Sequence, residues 1–151
     1  MKIYRISKCR FINDLSGTGA AMYGGRWNSK GNYVLYTAET PSLALLESVV
    51  HISNIPATSY CMITLEIPDT KITEIKIVTL PKNWQQQPPP DALKKFGDQF
   101  IFEAKFLAFK VPSVIIPEES NYLINPKHTD FKKIKLLSNR PIPIDERLVK
   151  K

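Results

Sequence analysis

Sulfur is scarce in this chain. Among 151 residues the only cysteines are Cys9 and Cys61, far apart, with no Cys-x-x-Cys pair and no histidine at ligand spacing, which argues against a structural zinc site. The opening Met1-Lys2-Ile3-Tyr4-Arg5-Ile6 lacks the apolar core of a secretory leader, and no later run approaches the length that spans a bilayer. These absences predict a cytoplasmic protein without membrane contact, with both thiols reduced. Catalytic signatures are missing too. There is no Gly-x-Ser-x-Gly, and neither His51 nor His128 has the spacing of a triad base or metal ligand.

What is present is the composition of a soluble globular protein, 43% hydrophobic and 23% charged. The length suits one domain, residues 1–151, with its own core. Lysine and arginine number 21 against 14 acidic residues, a net charge of +7, which favours an anionic partner such as nucleic acid, a nucleotide or an acidic protein. Lys132, Lys133, Lys135, Lys150 and Lys151 supply much of the excess and read as a solvated face or frayed tail.

Periodicity predicts a strand over Lys2 to Ile6, a Gly/Ser-rich loop over Asn13 to Gly25, and a second strand over Tyr33 to Tyr36. Thr40 as N-cap and Pro41 at the first helical position start a helix reaching about His51. Ser59 to Ile67 and Lys71 to Val78 are expected to form a hairpin around Pro68-Asp69. Trp84 to Pro90 breaks regular structure. Asp91 to Lys110, interrupted by Gly97, is expected to give two short helices or one broken one. Short β-type runs follow at Ser113 to Ile116, Tyr122 to Ile124 and Ile134 to Leu137. The mixed order points to an α+β domain with a largely antiparallel sheet.

Two segments carry chemical interest. Between Ser42 and Leu65, Glu47 is the only charged side chain besides the neutral-leaning His51. It projects about 40° from Leu43 on a helical wheel, on an apolar face. A carboxylate there must be desolvated, paired or functional, and the helix alone leaves a structural ion pair and a catalytic group equally open. In Gly24-Gly25-Arg26-Trp27-Asn28 the glycines let the backbone approach a ligand and the guanidinium can grip phosphate oxygens. The segment is neither a Walker A loop nor the dinucleotide fingerprint, and a tight turn bearing a surface arginine is the plainer meaning. Tyr36 could face a pocket and stack on a flat or cationic ring, or serve as a core tyrosine. Ser113 opens a run after Pro112, and Asn121 to His128 is rich in hydrogen-bonding groups.

Taken together, Tyr4-Arg5, Gly24 to Asn28, Leu35 to Glu39, Leu43 to Glu47, Val111-Pro112-Ser113 and Asn121 to His128 resemble the RES domain family, named for an arginine, a glutamate and a serine. Matched by motif, these are Arg26, Glu47 and Ser113. Tyr36 is the pocket aromatic, and Tyr4 and Arg5 are further substrate-binding positions. The resemblance implies a fold like that of ADP-ribosyltransferases, with a split, mostly antiparallel sheet and flanking helices. It implies a toxin that depletes NAD⁺ by cleaving the nicotinamide–ribose bond, by hydrolysis or phosphorolysis, or that transfers ADP-ribose to a cellular protein. NAD⁺ enters as substrate, with no cofactor and no metal. The implied partner is an Xre-type DNA-binding antitoxin, and self-association within that complex is compatible with the resemblance. No helix-turn-helix signature occurs here, so DNA contact falls to the partner. The rival from another class is a basic, non-enzymatic nucleic-acid-binding module.

Overall fold

In the computed structural model, which describes residues 1–52 and 59–149, the alternating start of the chain becomes β1 (Lys2–Lys8). It pairs antiparallel with β3 (Tyr60–Glu66) along its whole length, from Lys2 opposite Glu66 to Lys8 opposite Tyr60. The other strands are β2 (Leu35–Ala38), β4 (Ile72–Glu74), β5 (Ala108–Pro112), β6 (Ser120–Ile124) and β7 (Lys135–Ile142). They form a seven-stranded sheet in the order β4-β5-β6-β2-β1-β3-β7, antiparallel except between β4 and β5. Among the described residues three α-helices flank it: α1 (Thr18–Tyr23), α2 (Pro41–Val49) and α3 (Asp91–Glu103). The α+β reading holds, and so does the split. β1 and β2 share a single residue pair, Tyr4 opposite Ala38, so the sheet divides into β4-β5-β6-β2 and β1-β3-β7 at that point.

Period-two alternation distributes the core. Along β6, Tyr122 and Ile124 join one apolar cluster with Ile3, Leu35, Ile63 and Leu65, while Leu123 joins a second with Trp27, Phe100, Phe109 and Val111. α3 contributes Leu93, Phe100 and Ile101 to the second cluster. α2 closes a third, smaller one with Leu43 and Ala44 against Ala38, Tyr4 and Ile6. The α2 start is as the sequence predicts, with Thr40 Oγ1 accepting the Leu43 N–H at 3.0 Å. The same hydroxyl donates to Glu119 at 2.8 Å, which ties the helix entry to the segment before β6.

Several expectations are corrected. The hairpin between 59–67 and 71–78 does not form. β3 lies between β1 and β7, β4 pairs in parallel with β5 at the far edge, and Ile77–Thr79 is a 3-10 turn. β-branched composition encodes an extended backbone but not its partner. The glycine-rich stretch contains α1. The run at Ser113 is a turn, the strand lying just before it, because the Ser113 hydroxyl accepts the N–H groups of Ile115 and Ile116. Cys9 and Cys61 are not free thiols but a disulfide. The β1–β3 register sets Ser7 opposite Cys61, and the Cys9 N–H reaches Ser59 O just beyond it. A separation of 52 residues thus becomes adjacency.

α3 runs unbroken through Gly97. A Cβ at that position would stand 1.7 Å from the Trp27 carbonyl oxygen, so glycine there permits helix–loop contact. Gly97→Ala should lower stability by about 1–3 kcal/mol through overpacking, outweighing the gain of about 1 kcal/mol in helix propensity. Denaturant unfolding checks this, and a raised midpoint would refute it.

Candidate active site

A cleft of about 1550 Å³ opens beside the split. Its wall includes Tyr4, Arg5, Arg26, Tyr36, Glu47 and Asn121, so five of the six residues expected from the sequence line one space. Ser113 does not line it, being completely buried. The cleft also draws in Lys8, Arg10, Lys30 and Lys94, against the carboxylates of Asp14 and Glu47. The concentration of cations that matters is therefore here. The C-terminal lysines include Lys133, paired with Asp130, and Lys135, paired with Glu66.

Glu47 sits half-buried in the second turn of α2. One carboxylate oxygen, Oε1, accepts from Ser113 Oγ at 2.8 Å and from Asn121 Nδ2 at 2.6 Å. The hydroxyl partner of Ser113 is thus Glu47. Two N–H groups already occupy the acceptor side of its hydroxyl, so its proton is committed to the carboxylate. Asn121 opens the polar segment that runs to His128, where nothing local distinguishes it. Its signal lies in the pairing of Asn121 with Ala38 in the β6–β2 ladder, which no local pattern displays.

Arg26 stands on a turn built by its neighbours. Trp27 is buried with its ring edge-on to Phe109, centroids 6.2 Å apart. Asn28 is fully buried and its amide donates to the carbonyls of Ala20, Ser29 and Asn32. Its Oδ1 accepts from the Tyr36 hydroxyl at 2.8 Å, and that hydroxyl accepts the Trp27 N–H at 3.2 Å. A Cβ on Gly25 would fall 2.6 Å from the Tyr36 oxygen. The close approach that this glycine allows is thus to Tyr36 and Asn28, not directly to a ligand. Burial pushes the Tyr36 hydroxyl above its ordinary pKa, so it remains a neutral donor. Tyr36 is partly buried against the second core cluster and belongs to the cleft wall.

The Arg26 guanidinium reaches across to the segment that breaks regular structure. Nη1 donates to the carbonyls of Trp84 at 2.8 Å and Gln86 at 3.1 Å, and Nη2 to Gln87 Oε1 at 2.8 Å. The Trp84 to Pro90 loop is the support that aims Arg26, and Gln85, Gln87 and Pro89 form part of the cleft wall. Burial lowers the Arg26 pKa, and the negative charge of Glu47 opposes that shift. Arg26 and Glu47 act on each other through space, with no ion pair between them among the described residues. Arg5 is held by the Ile12 carbonyl at 2.9 Å, and burial likewise lowers its pKa against the pull of Asp14. A second brace comes from α3, where Asp98 accepts from Ser29 N, Ser29 Oγ and Asn32 Nδ2.

The family model described as the RES domain matches residues 2–145. A protein named Toxin Res from Photorhabdus laumondii is 35% identical over 153 positions, covering 99% of this chain and 98% of its own. The Prs ADP-ribosylating toxin of Sphingobium sp. strain YBL2 is 39% identical, with 92% and 89% covered. Among solved structures, the Mycobacterium tuberculosis MbcT–MbcA toxin–antitoxin complex contains a chain similar in fold, with a TM-score of 0.78 at 16% identity, covering 93% of this chain and 83% of that one.

Two outcomes follow from the bracing. Arg26→Ala should raise amide exchange at Gln86, whose N–H bonds Asn83 O, by about tenfold or more, since charge-assisted hydrogen bonds are lost. Unchanged exchange would mean that the loop stands without Arg26. For Asp98, burial works toward a higher pKa, but the bonds from Ser29 and Asn32 prevail and hold it below 3.8. A depressed carboxylate stabilises the fold above its unfolded pKa and loses that contribution as pH falls through the folded one. The stability advantage of wild type over Asp98→Asn should therefore be present at pH 7 and shrink below about pH 4, as read by denaturation across that range. An advantage constant with pH would contradict it.

Proposed function

Because the chain belongs to the RES domain family, we propose that it is a toxin enzyme that consumes NAD⁺ by breaking the bond between nicotinamide and ribose. The observation that carries this reading is Glu47 held by two donors on the wall of a cleft that also receives Arg26 and Tyr36. The electron pair of the C–N bond leaves with the nicotinamide ring, neutralising its positive charge, so no general acid is needed to expel it. Positive charge then develops on the ribose. A carboxylate in a partly dry site stabilises that charge more than water does, and this is the role assigned to Glu47.

Arg26 is assigned to the diphosphate. Its Nη1 protons are committed to backbone carbonyls, which leaves Nε and the Nη2 edge for phosphate oxygens once the Gln87 side chain yields. Arg5 and Tyr4 extend the same wall. The Tyr36 ring, its hydroxyl fixed by Asn28, is the surface for nicotinamide. Ser113, buried behind Glu47, serves as a positioning residue rather than touching substrate. NAD⁺ is consumed as substrate, without a separate cofactor. Its action is assigned to the cytoplasm, where that substrate is available. The partner in this reading is an antitoxin of the Xre type that covers the cleft and carries the DNA contacts.

A second reading, transfer of ADP-ribose to a cellular protein, is favoured by the name of the Sphingobium relative. The same bond breaks, and a protein nucleophile takes the place of water or phosphate.

Purified protein should release nicotinamide from NAD⁺, and adding inorganic phosphate separates phosphorolysis from hydrolysis. Glu47→Gln should lower kcat by roughly 100- to 1000-fold. Arg26→Ala should chiefly raise KM. Release that persists in Glu47→Gln, or an inert wild-type protein, would defeat the proposal, whereas labelling of a protein from NAD⁺ would select the transfer reading.

A further inference from the structure

The most informative unassigned contact in the molecule is that of Asn121. Its Nδ2 gives the shorter of the two hydrogen bonds to Glu47, 2.6 Å against 2.8 Å from Ser113, and both fall on the same oxygen. Ser113 is sealed off from the cleft, whereas Asn121 is partly exposed and lines it. The two donors also reach Glu47 from different places, Ser113 from the turn after β5 and Asn121 from β6. Carboxylate oxygens accept along directions that the bound donors define. With Oε1 occupied twice, rotation about the last side-chain bond of Glu47 would break two charge-assisted bonds at once. Oε2 carries no protein partner among the described residues.

From this asymmetry we propose that Asn121 is a positioning residue for the reaction: it fixes the Glu47 carboxylate with one oxygen satisfied by protein and the other reserved for the reacting sugar. The inference rests on the reading of Glu47 given above. Ser113 alone leaves the carboxylate one donor and a free swing. Asn121 removes the swing, and its backbone is itself held opposite Ala38 in β2 and Val111 in β5. The amide must point its nitrogen at Glu47, so an acceptor at the same position reverses the interaction. Asp in place of Asn keeps the shape and sets two carboxylates side by side, and their repulsion keeps a proton on the pair to higher pH than on a lone carboxylate.

The test is nicotinamide release by wild type, Asn121→Ala and Asn121→Asp, with thermal unfolding as the control for folding. Asn121→Ala should lose roughly 100-fold in kcat, the cost of an ångström-scale misplacement, with KM within about threefold of wild type. Asn121→Asp should move the acid limb of the kcat/KM profile to higher pH, a shift that a merely structural defect does not produce. Wild-type kcat in Asn121→Ala, a loss confined to KM, or an unmoved acid limb in Asn121→Asp would each overturn the inference. Should wild type fail to consume NAD⁺, the functional reading falls by itself. The positioning claim is then judged from a crystal structure of Asn121→Ala: a turned Glu47 carboxylate supports it, and an unmoved one overturns it.

Discussion

A charged group on the apolar side of a short helix is tolerable only if something answers for its hydration. In this protein that constraint is met by two hydrogen bonds converging on one oxygen of Glu47. To deliver them, the turn after β5 must bury Ser113 and β6 must run beside β2 in a single register. α2 must also enter from Thr40 at a fixed angle, which the Thr40–Glu119 bond sets. No buried side-chain nitrogen or oxygen among the described residues lacks a partner. The buried part of the polar network is therefore satisfied within the protein.

The part of the wall that carries Arg26 follows a different logic. Arg26 is aimed by carbonyl groups of a loop without regular structure, and that loop is anchored by Trp84 in the core. Trp27 inward, Arg26 outward and Asn28 as a knot beneath make a three-residue device in which each side chain has a separate mechanical task. Asp98 on α3 ties the far end of that turn. One wall is thus rigid through the sheet and the other through a cross-linked loop, and cations from both face a common space.

Legibility in the sequence varied with the range of the interaction. α2 could be read almost residue by residue, because Thr40 and Pro41 act locally and a helix has an internal period. Glu47 stood out for the same reason, as a violation of that period. The importance of Arg26 was visible through its glycines, though their steric reason was not, since Tyr36 reaches Gly25 only after β2 and the turn have packed. Ser113 was found by resemblance, while its commitment to Glu47 depends on a contact between residues 66 positions apart. Asn121, the Cys9–Cys61 bond and the pairing of β4 with β5 share one cause of illegibility. Each is a matter of strand register, and alternation records which way a side chain points but not what stands opposite. Gly97 looked like a helix breaker because propensity is local, whereas its use is to admit the Trp27 carbonyl.

The order of the wall residues along the chain has a consequence for the birth of the protein. Glu47 emerges from the ribosome early, yet the partner that completes its setting is residue 121 of 151. The β3 edge waits longer still, until Lys135 to Ile142 are made. Contacts of such long range carry a large loop-closure cost and slow folding. A chain that stops short of β6 would carry Glu47 without its Asn121 donor, so the hydrogen-bonded setting of this carboxylate belongs to the nearly full-length chain and not to its fragments.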